Sequence, residues 1–149
     1  MGKLKKMITM KEIYFSIKTL IVKDSKFLAV YNLSDSKKIW DLPGGRMEFG
    51  ESAEETLKRE IYEELSVEIE PIKVIDTWNY MHNDNIQITG IIYFSEMKTN
   101  GISISDEHDG YDWIDFEKIN EVFSKDFLLD KMQSWDWDSI IDEKIRFTK

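Results

Sequence analysis

The segment GGRMEFGESAEETLKREIYEELSV, residues 44–67, decides the fold expected for this chain, because it joins a glycine turn to one well-marked helix. Ser52, followed three residues later by Glu55, forms the capping-box pattern that predicts the start of a helix. The apolar residues that follow recur at helical spacing and predict one buried stripe, formed by Ala53, Leu57, Ile61 and Leu65. We therefore expect an amphipathic helix whose apolar face packs on the core.

Three glutamates, Glu60, Glu63 and Glu64, follow along the same helix and lie against or beside its apolar stripe. Like charges at this spacing destabilise a helix by roughly 0.2–0.5 kcal/mol per pair, and the helix dipole disfavours carboxylates in the last turns. Partial burial adds to the cost unless a cation is present. A solvated acidic face is one interpretation. Because the apolar stripe runs into the glutamates, we favour a site for Mg²⁺, which takes carboxylate oxygens as ligands.

The spacing of these residues carries a family resemblance. Counting from Gly45, the pattern G-x₅-E-x₇-R-E-I-x-E-E-x-G-V is met, except that Ser66 stands in place of the second glycine. The chain thus resembles the Nudix box, the signature of hydrolases that cleave nucleoside diphosphates linked to another group. The preceding WDLPG, residues 40–44, is also similar to the family's approach to the box. The specific part of the resemblance is confined to residues 40–67.

The resemblance implies a ligand set for one or more Mg²⁺ ions, with Mn²⁺ as a substitute. Glu60, Glu63 and Glu64 would bind the metal, and the backbone carbonyl of Gly44 would be a further ligand. One of the glutamates could instead act as the base for the attacking water, and the sequence leaves open which one. These residues are expected to form the catalytic centre.

Two further residues of the box have alternative roles. Arg59 would orient the carboxylates, because its planar guanidinium can bind one or two of them. The alternative is a surface pair with Glu55 or Glu63. Glu51 is either a charge at the start of the helix or a support for the site.

Members of the family often supply one more carboxylate from a distant loop, and residues 105–108 resemble that loop. We select Glu107 as a catalytic and metal-binding residue over Asp106 and Asp109, with a solvated acidic loop as the alternative. His108 could be a metal ligand or a base, but packing within the loop is the interpretation we favour.

The composition bounds the class of protein. At 149 residues the chain is expected to form one domain, residues 1–149, with a loose start at residues 1–11. The net charge of −9 argues against a protein that coats nucleic acid. The absence of cysteine excludes disulfides and thiolate chemistry. No apolar run has the length of a membrane span and no signal peptide is recognised, so we expect a cytoplasmic protein.

Strands are predicted on both sides of the helix. β-branched and aromatic residues indicate strands at 12–22 and 27–32, one or two strands within 68–80, and a strand at 86–97. Residues 106–112 are expected to form an acidic loop and 111–114 a short strand, followed by a helical turn at 116–122. A closing helix from 124 or 125 and a further turn or helix from 138 complete the chain. This order predicts an α/β fold with a mixed sheet between helices, which agrees with the α/β/α sandwich that the Nudix resemblance implies.

The substrate is the least determined feature. A nucleobase needs an aromatic or apolar slot with a few polar groups. The candidates are Tyr14, Phe15, Trp78 and Asp126, with Tyr80 as the alternative to Trp78 and Phe127 as the alternative to Asp126. Each has a core role as its other interpretation. The resemblance implies a small nucleotide, and we expect a (deoxy)nucleoside triphosphate cleaved to a nucleoside monophosphate and pyrophosphate. ADP-ribose, dinucleoside polyphosphates and capped RNA are alternatives, as is a non-catalytic domain that senses a nucleotide. A monomer and a homodimer are both open.

Overall fold

The structure, a computed structural model, describes residues 10–123 and 127–140. The elements in chain order are β1 (Glu12–Lys23), β2 (Lys26–Ser34), β3 (Lys37–Asp41), β4 (Gly44–Arg46), α1 (Ala53–Leu65), β5 (Ile69–Met81), β6 (Ile86–Met97), β7 (Gly110–Asp115), a 3₁₀ turn (Phe116–Lys118), α2 (Ile119–Val122) and α3 (Phe127–Ser134). Among the described residues, no helix is long and apolar enough to cross a membrane.

The seven strands form one mixed sheet. Its main order is β3-β2-β1-β6-β5, with β4 added on β1 and β7 added on β2. β1 and β6 run parallel, whereas the remaining pairs are antiparallel. The parallel pair requires a long crossover connection, and α1 lies within that connection. The chain order therefore places α1 on one face of the sheet.

Each face of the sheet carries its own core. Leu57, Ile61 and Leu65 of α1 are fully buried against Ile17 and Ile21 of β1. Burial of side chains of this size stabilises the fold by roughly 1.5–3 kcal/mol each. The opposite face is covered by the C-terminal helices, which pack on the alternate residues of the strands. The predicted α/β fold, with a mixed sheet between helices, is confirmed.

Most predicted elements agree with the structure, and the differences are local. Residues 68–80 form one strand, β5, with register shifts against β6 that make the apolar pattern irregular. β7 begins at Gly110, so the predicted acidic loop at 106–112 was too long: its last residues pair with β2. Residues 137–140 are helical, which confirms the further turn predicted from Asp138. The start of the closing helix at 124–126 and most of the loose start lie outside the described residues.

Both ends of α1 have the expected local geometry. Ser52 and Glu55 form both hydrogen bonds of the capping box. At the other end Ser66 adopts the left-handed conformation, with φ 57° and ψ 35°, and its N–H donates to the carbonyl oxygen of Tyr62. A residue with a Cβ enters this conformation at a cost of about 1 kcal/mol. Ser66 therefore accepts the strain that the usual glycine avoids.

We predict that Ser66→Gly leaves stability unchanged or raises it by up to about 1 kcal/mol, because relief of backbone strain is partly offset by the larger entropy of the unfolded chain. Ser66→Val should lower stability, since a β-branched residue fits the left-handed region less well. Urea denaturation of the three proteins measures both changes. A clear loss of stability in Ser66→Gly would show that the serine side chain stabilises this helix end.

Candidate active site

The glutamates of α1 differ widely in exposure because the helix packs its apolar stripe on the sheet. The Glu64 side chain is 1% exposed, that of Glu60 is 15% exposed and that of Glu63 is 49% exposed. Burial raises the pKa of Glu60, and the charges of Glu63 and Glu107 add to the rise although Arg59 opposes it. Two of the three carboxylates are therefore held where their negative charge is unfavourable in the absence of a cation.

Arg59 connects the helix to the loop before it. Its guanidinium donates to Glu51 at 2.6 and 2.9 Å, to Glu60 at 2.8 Å and to Glu63 at 3.2 Å. It also donates to the backbone oxygen of Arg46 at the end of β4. The ion pair with Glu63, which the sequence offered as an alternative role for Arg59, is thus one of several contacts that Arg59 makes. These contacts are the geometry that orientation of the carboxylates requires.

Glu51 has the most complete set of partners in this region. Besides Arg59, it accepts hydrogen bonds from the Thr56 hydroxyl at 2.8 Å and the backbone N–H of Glu48 at 2.9 Å. The hydrogen bonds from Arg59 are the main reason that the pKa of Glu51 falls to about 2. Glu51 stays ionised and anchors Arg59, so it belongs to the support of the site as well as to the helix start.

Glu64 pairs with a histidine that is distant in sequence. A hydrogen bond of 2.6 Å joins Glu64 Oε1 to His108 Nε2, across 44 residues of chain. Burial raises the pKa of Glu64, and His108 only partly offsets it. Burial by itself lowers the pKa of His108, but the bond and charge of Glu64 outweigh it and raise that pKa. From the sequence we favoured packing within the loop for His108, and that interpretation did not include this contact with α1.

A group of metal-ligating atoms forms around this pair. Glu64, Glu107 and His108 each offer one ligand atom, and these atoms lie within 4.8 Å of one another. Glu64 Oε2 is buried and has no hydrogen-bond partner within the described chain. A buried carboxylate oxygen without a donor is unfavourable unless a cation neutralises it. The donor set, mostly carboxylate oxygen, fits a hard divalent ion such as Mg²⁺.

The glycine turn brings β4 close to the helix. A Cβ added at Gly45 would overlap the carboxyl group of Glu60, so only glycine allows this approach. Gly44 precedes it with φ 151° and lies against the backbone of β1. The turn is therefore beside the glutamates, and the role of the Gly44 carbonyl as a metal ligand stays a prediction.

A cavity of about 450 Å³ opens next to the glutamates. Gly45 and His108, which contact Glu60 and Glu64, also line the cavity and connect it to the metal-ligating group. The rest of the lining is largely aromatic and aliphatic, with a few polar side chains, and includes Tyr31, Trp40, Trp78, Tyr80, Ile88, Lys18, Asp41 and Arg46. Such a mixture suits a nucleoside-sized ligand.

The four predicted substrate residues fall in different places. Trp78 lines the cavity, and Tyr14 lies beside it, with its ring 3.8 Å from the guanidinium carbon of the lining residue Arg46. Phe15 is not among the lining residues, so this cavity does not support its predicted role in stacking on the base, which stays a prediction. The physical reason is strand alternation: Phe15 shares the α1 face of β1 with Ile17, whereas the cavity is on the other face. Asp126 lies outside the described residues.

Sequence reasoning did not select Lys18 or Asp41, although both line the cavity. A signal for Lys18 was present, because it is a lone cation in the apolar part of β1. Asp41 stands in the WDLPG segment that was noted only as the approach to the box. Their proximity depends on the strand order and could not be read from spacing.

Comparisons with known proteins agree with this architecture. A family model described as "NUDIX domain" matches residues 17–138. Among solved structures, the MutT protein from Methanosarcina mazei Go1 is similar with a TM-score of 0.75 at 24% identity, covering 87% of this chain and 96% of that one. The MutT NUDIX hydrolase from Burkholderia pseudomallei has a TM-score of 0.71 at 18% identity, covering 84% and 100%. An ADP-ribose pyrophosphatase from Streptococcus suis has a TM-score of 0.57 at 17% identity, covering 70% and 75%.

The depressed pKa of Glu51 predicts a stability difference that depends on pH. A carboxyl whose pKa is lowered on folding stabilises the protein above its ordinary value of 4.5, and this contribution disappears as the pH falls towards 2. We predict that Glu51→Gln is less stable than the wild type at pH 6 and that the difference narrows by pH 3. Urea denaturation at the two pH values measures it, with the exposed Glu121→Gln as the control. An equal difference at both pH values would contradict the assigned charge interaction.

Proposed function

Because this chain belongs to the Nudix family of hydrolases, we propose that it hydrolyses a (deoxy)nucleoside triphosphate to a nucleoside monophosphate and pyrophosphate in a Mg²⁺-dependent reaction. Family membership supports the enzyme class predicted from the sequence, a pyrophosphohydrolase acting on phosphoanhydride bonds. The observation that carries the proposal is the buried Glu64 Oε2, which has no hydrogen-bond partner in the part of the chain that the structure describes and lies beside a cavity of nucleoside size. It supports a cation and an organic anion at adjacent positions.

Glu60, Glu64 and Glu107 are the residues that would hold the metal, with Glu63 and the Gly44 carbonyl as further predicted ligands. The buried Glu64 oxygen and the oxygen-rich donor set fit Mg²⁺, and Mn²⁺ takes the same class of ligands. When bound there, the metal would neutralise charge on the phosphate oxygens and lower the pKa of a coordinated water. Arg59 holds Glu60 and Glu63 towards one place, so fewer side-chain rotamers must be ordered when the metal binds.

Residues of the cavity would orient the nucleotide. The nucleoside would occupy the aromatic part of the cavity, and the phosphates would extend past Gly45 and His108 towards the glutamates. Arg46 lines the same cavity, and its guanidinium can bind phosphate oxygens in a bidentate manner. The net charge of −9 makes such local cations necessary for binding an anionic substrate.

The reaction needs one proton acceptor. Water adds to one phosphorus of the anhydride, the bond from that phosphorus to the bridging oxygen breaks, and the proton of the water passes to a carboxylate. The carboxylate that takes this proton would be one that does not itself bind the metal, because a bound cation lowers the pKa of its ligands. Which of Glu60, Glu63 and Glu64 acts as the base stays open, as it does from the sequence.

Other substrates remain as alternatives within the same enzyme class. ADP-ribose, dinucleoside polyphosphates and capped RNA contain the same linkage, and one structural relative is described as an ADP-ribose pyrophosphatase. A non-catalytic, nucleotide-sensing domain is the alternative of another class. The clustered carboxylates argue against it, since they destabilise the helix and serve no purpose in a domain that does not bind metal. A cytoplasmic location and a choice between monomer and homodimer stay as predictions.

A panel of nucleotides assayed with Mg²⁺ tests the proposal. The panel includes the eight common ribo- and deoxyribonucleoside triphosphates, ADP-ribose, a dinucleoside polyphosphate and a cap analogue, and phosphate release is read with and without added pyrophosphatase. Nucleoside triphosphates should release phosphate only when pyrophosphatase is present. A protein that is inert on the whole panel but binds a nucleotide would support the sensing domain instead.

Glu64→Gln distinguishes a metal site from a solvated acidic face. The variant keeps the shape of the side chain and removes one buried charge, so without metal we expect it to be at least as stable as the wild type. At a Mg²⁺ concentration ten times its Kd the wild type should gain about 1.4 kcal/mol of stability, and the variant much less. Turnover should fall by orders of magnitude. Thermal denaturation with and without Mg²⁺, together with the nucleotide assay, measures these effects.

Glu54→Gln is the matched control, because Glu54 is an exposed glutamate in the first turn of the same helix. It should keep the wild-type response to Mg²⁺ and the wild-type turnover. If Glu64→Gln behaves like this control, the metal site is assigned to the wrong residues.

A further inference from the structure

Lys18 places a buried positive charge in the floor of the cavity. It lies in β1 with 7% of its surface exposed, and its Nζ is 2.8 Å from both carboxylate oxygens of Asp41. The same ammonium group lies 4.6 Å from the centre of the Trp78 ring. Burial of Lys18 removes hydration from its ammonium group, and the pair with Asp41 offsets that loss. Buried ion pairs often contribute little to stability, so the pair is a candidate for a role in binding.

Asp41 is the accessible member of this pair. Its side chain is 43% exposed and lines the cavity, whereas the Lys18 side chain is 9% exposed. Oδ1 accepts hydrogen bonds from Lys18 and from the backbone N–H of Leu42, and Oδ2 accepts one from Lys18. A carboxylate has about four acceptor positions. Oδ2 therefore has room for one more donor, and that donor can come from a ligand in the cavity.

The chemistry of the cavity restricts which part of a nucleotide meets Asp41. A carboxylate repels phosphate groups unless a metal lies between them, and the proposed metal position is at the glutamates next to Gly45 and His108, so the phosphates would extend there and not to Asp41. Asp41 follows Trp40, whose ring packs against Tyr31 with 4.9 Å between the ring centres. Both rings line the same cavity as Asp41, so a base packed on either ring would present its edge to Asp41.

We propose that Asp41, held in place by Lys18, is a specificity-determining residue that accepts a hydrogen bond from an exocyclic amino group of the nucleobase. The protein would thereby select nucleotides with an amino group over those that carry a carbonyl oxygen at the same ring position. This inference rests on the proposed function, because it takes a nucleotide as the ligand of the cavity.

The selectivity follows because an ionised carboxylate accepts hydrogen bonds but cannot donate them. An amino N–H donates to Oδ2, whereas a carbonyl oxygen in the same place would face a second acceptor and leave both without a donor. Sites that bind a polar group of the substrate reject analogues that cannot pair with it much more strongly than apolar pockets reject a change of size. The two substrate pairs that carry this difference, together with a change of the adjacent ring nitrogen from acceptor to donor, are CTP with UTP and ATP with ITP.

The first measurement is kcat/KM for both pairs in wild-type protein and in Asp41→Asn. In the pair that the wild type hydrolyses faster, the amino nucleotide should be preferred by about tenfold or more. Asp41→Asn keeps an oxygen for Lys18 and adds an N–H donor that a carbonyl can accept, so the preference should fall to about twofold or reverse. Asp112→Asn is the control, because Asp112 also accepts from the next backbone N–H and does not line the cavity.

The second measurement is binding of CMP, UMP, AMP and IMP to metal-free protein by calorimetry. It requires no turnover, so it separates failure of this inference from failure of the proposed function. If no triphosphate is hydrolysed but CMP or AMP still binds about tenfold more tightly than its carbonyl counterpart in an Asp41-dependent manner, the specificity stands and the hydrolase proposal falls. If triphosphates are hydrolysed and the preference is unchanged in Asp41→Asn, the specificity is overturned.

If Asp41→Asn does not fold, Asp41→Glu serves as the second variant in the same measurements. It preserves the negative charge beside Lys18 and moves the carboxylate by one methylene, so it should weaken the amino preference. Folding of each variant is checked by thermal denaturation. Wild-type protein that treats the members of both pairs alike in hydrolysis and in binding, or that binds none of the monophosphates, overturns the inference.

Discussion

The guanidinium of Arg59 is the interaction on which the candidate site depends. It connects the loop before α1 through Glu51, two carboxylates of α1 through Glu60 and Glu63, and the end of β4 through the backbone oxygen of Arg46. One fixed cation thus compensates several like charges that would otherwise separate. The contact between β4 and α1 at Gly45 is compatible with that arrangement only because glycine has no side chain.

Asp41 and Glu64 are two carboxylates beside the cavity whose negative charges are balanced to different extents by protein groups. This difference distinguishes their proposed roles. Asp41 has a lysine on both of its oxygens, so its charge is balanced within the protein. Glu64 has His108 on one oxygen and, among residues 10–123 and 127–140, no donor on the other. A buried charge without a full set of partners favours binding of a cation, whereas a balanced and accessible carboxylate can accept a neutral donor. Glu64 is therefore suited to binding a metal ion, and Asp41 is suited to binding a nucleobase.

Local signals predicted the central helix well because its ends are determined by nearby residues. Ser52 and Glu55 cap its start within one turn, and the apolar stripe of Leu57, Ile61 and Leu65 sets the face that is buried. The strand containing Phe15 shows the limit of such signals. Alternation correctly separates two faces of β1, but it does not tell which face borders the cavity and which is covered by α1. For that reason alternation could not place Phe15 relative to the cavity.

The sequence by itself determined the box, the helix that carries it, the family and the α/β class, since these depend on residue types at short and regular spacing. Only the tertiary structure decided which distant side chains meet. Lys18 and Asp41 are 23 residues apart, and Glu64 and His108 are 44 apart. The strand order around β1 and the path of the loop before β7 bring these pairs together. Contacts of this kind have no periodicity along the chain, because they arise from the packing of the sheet against its helices.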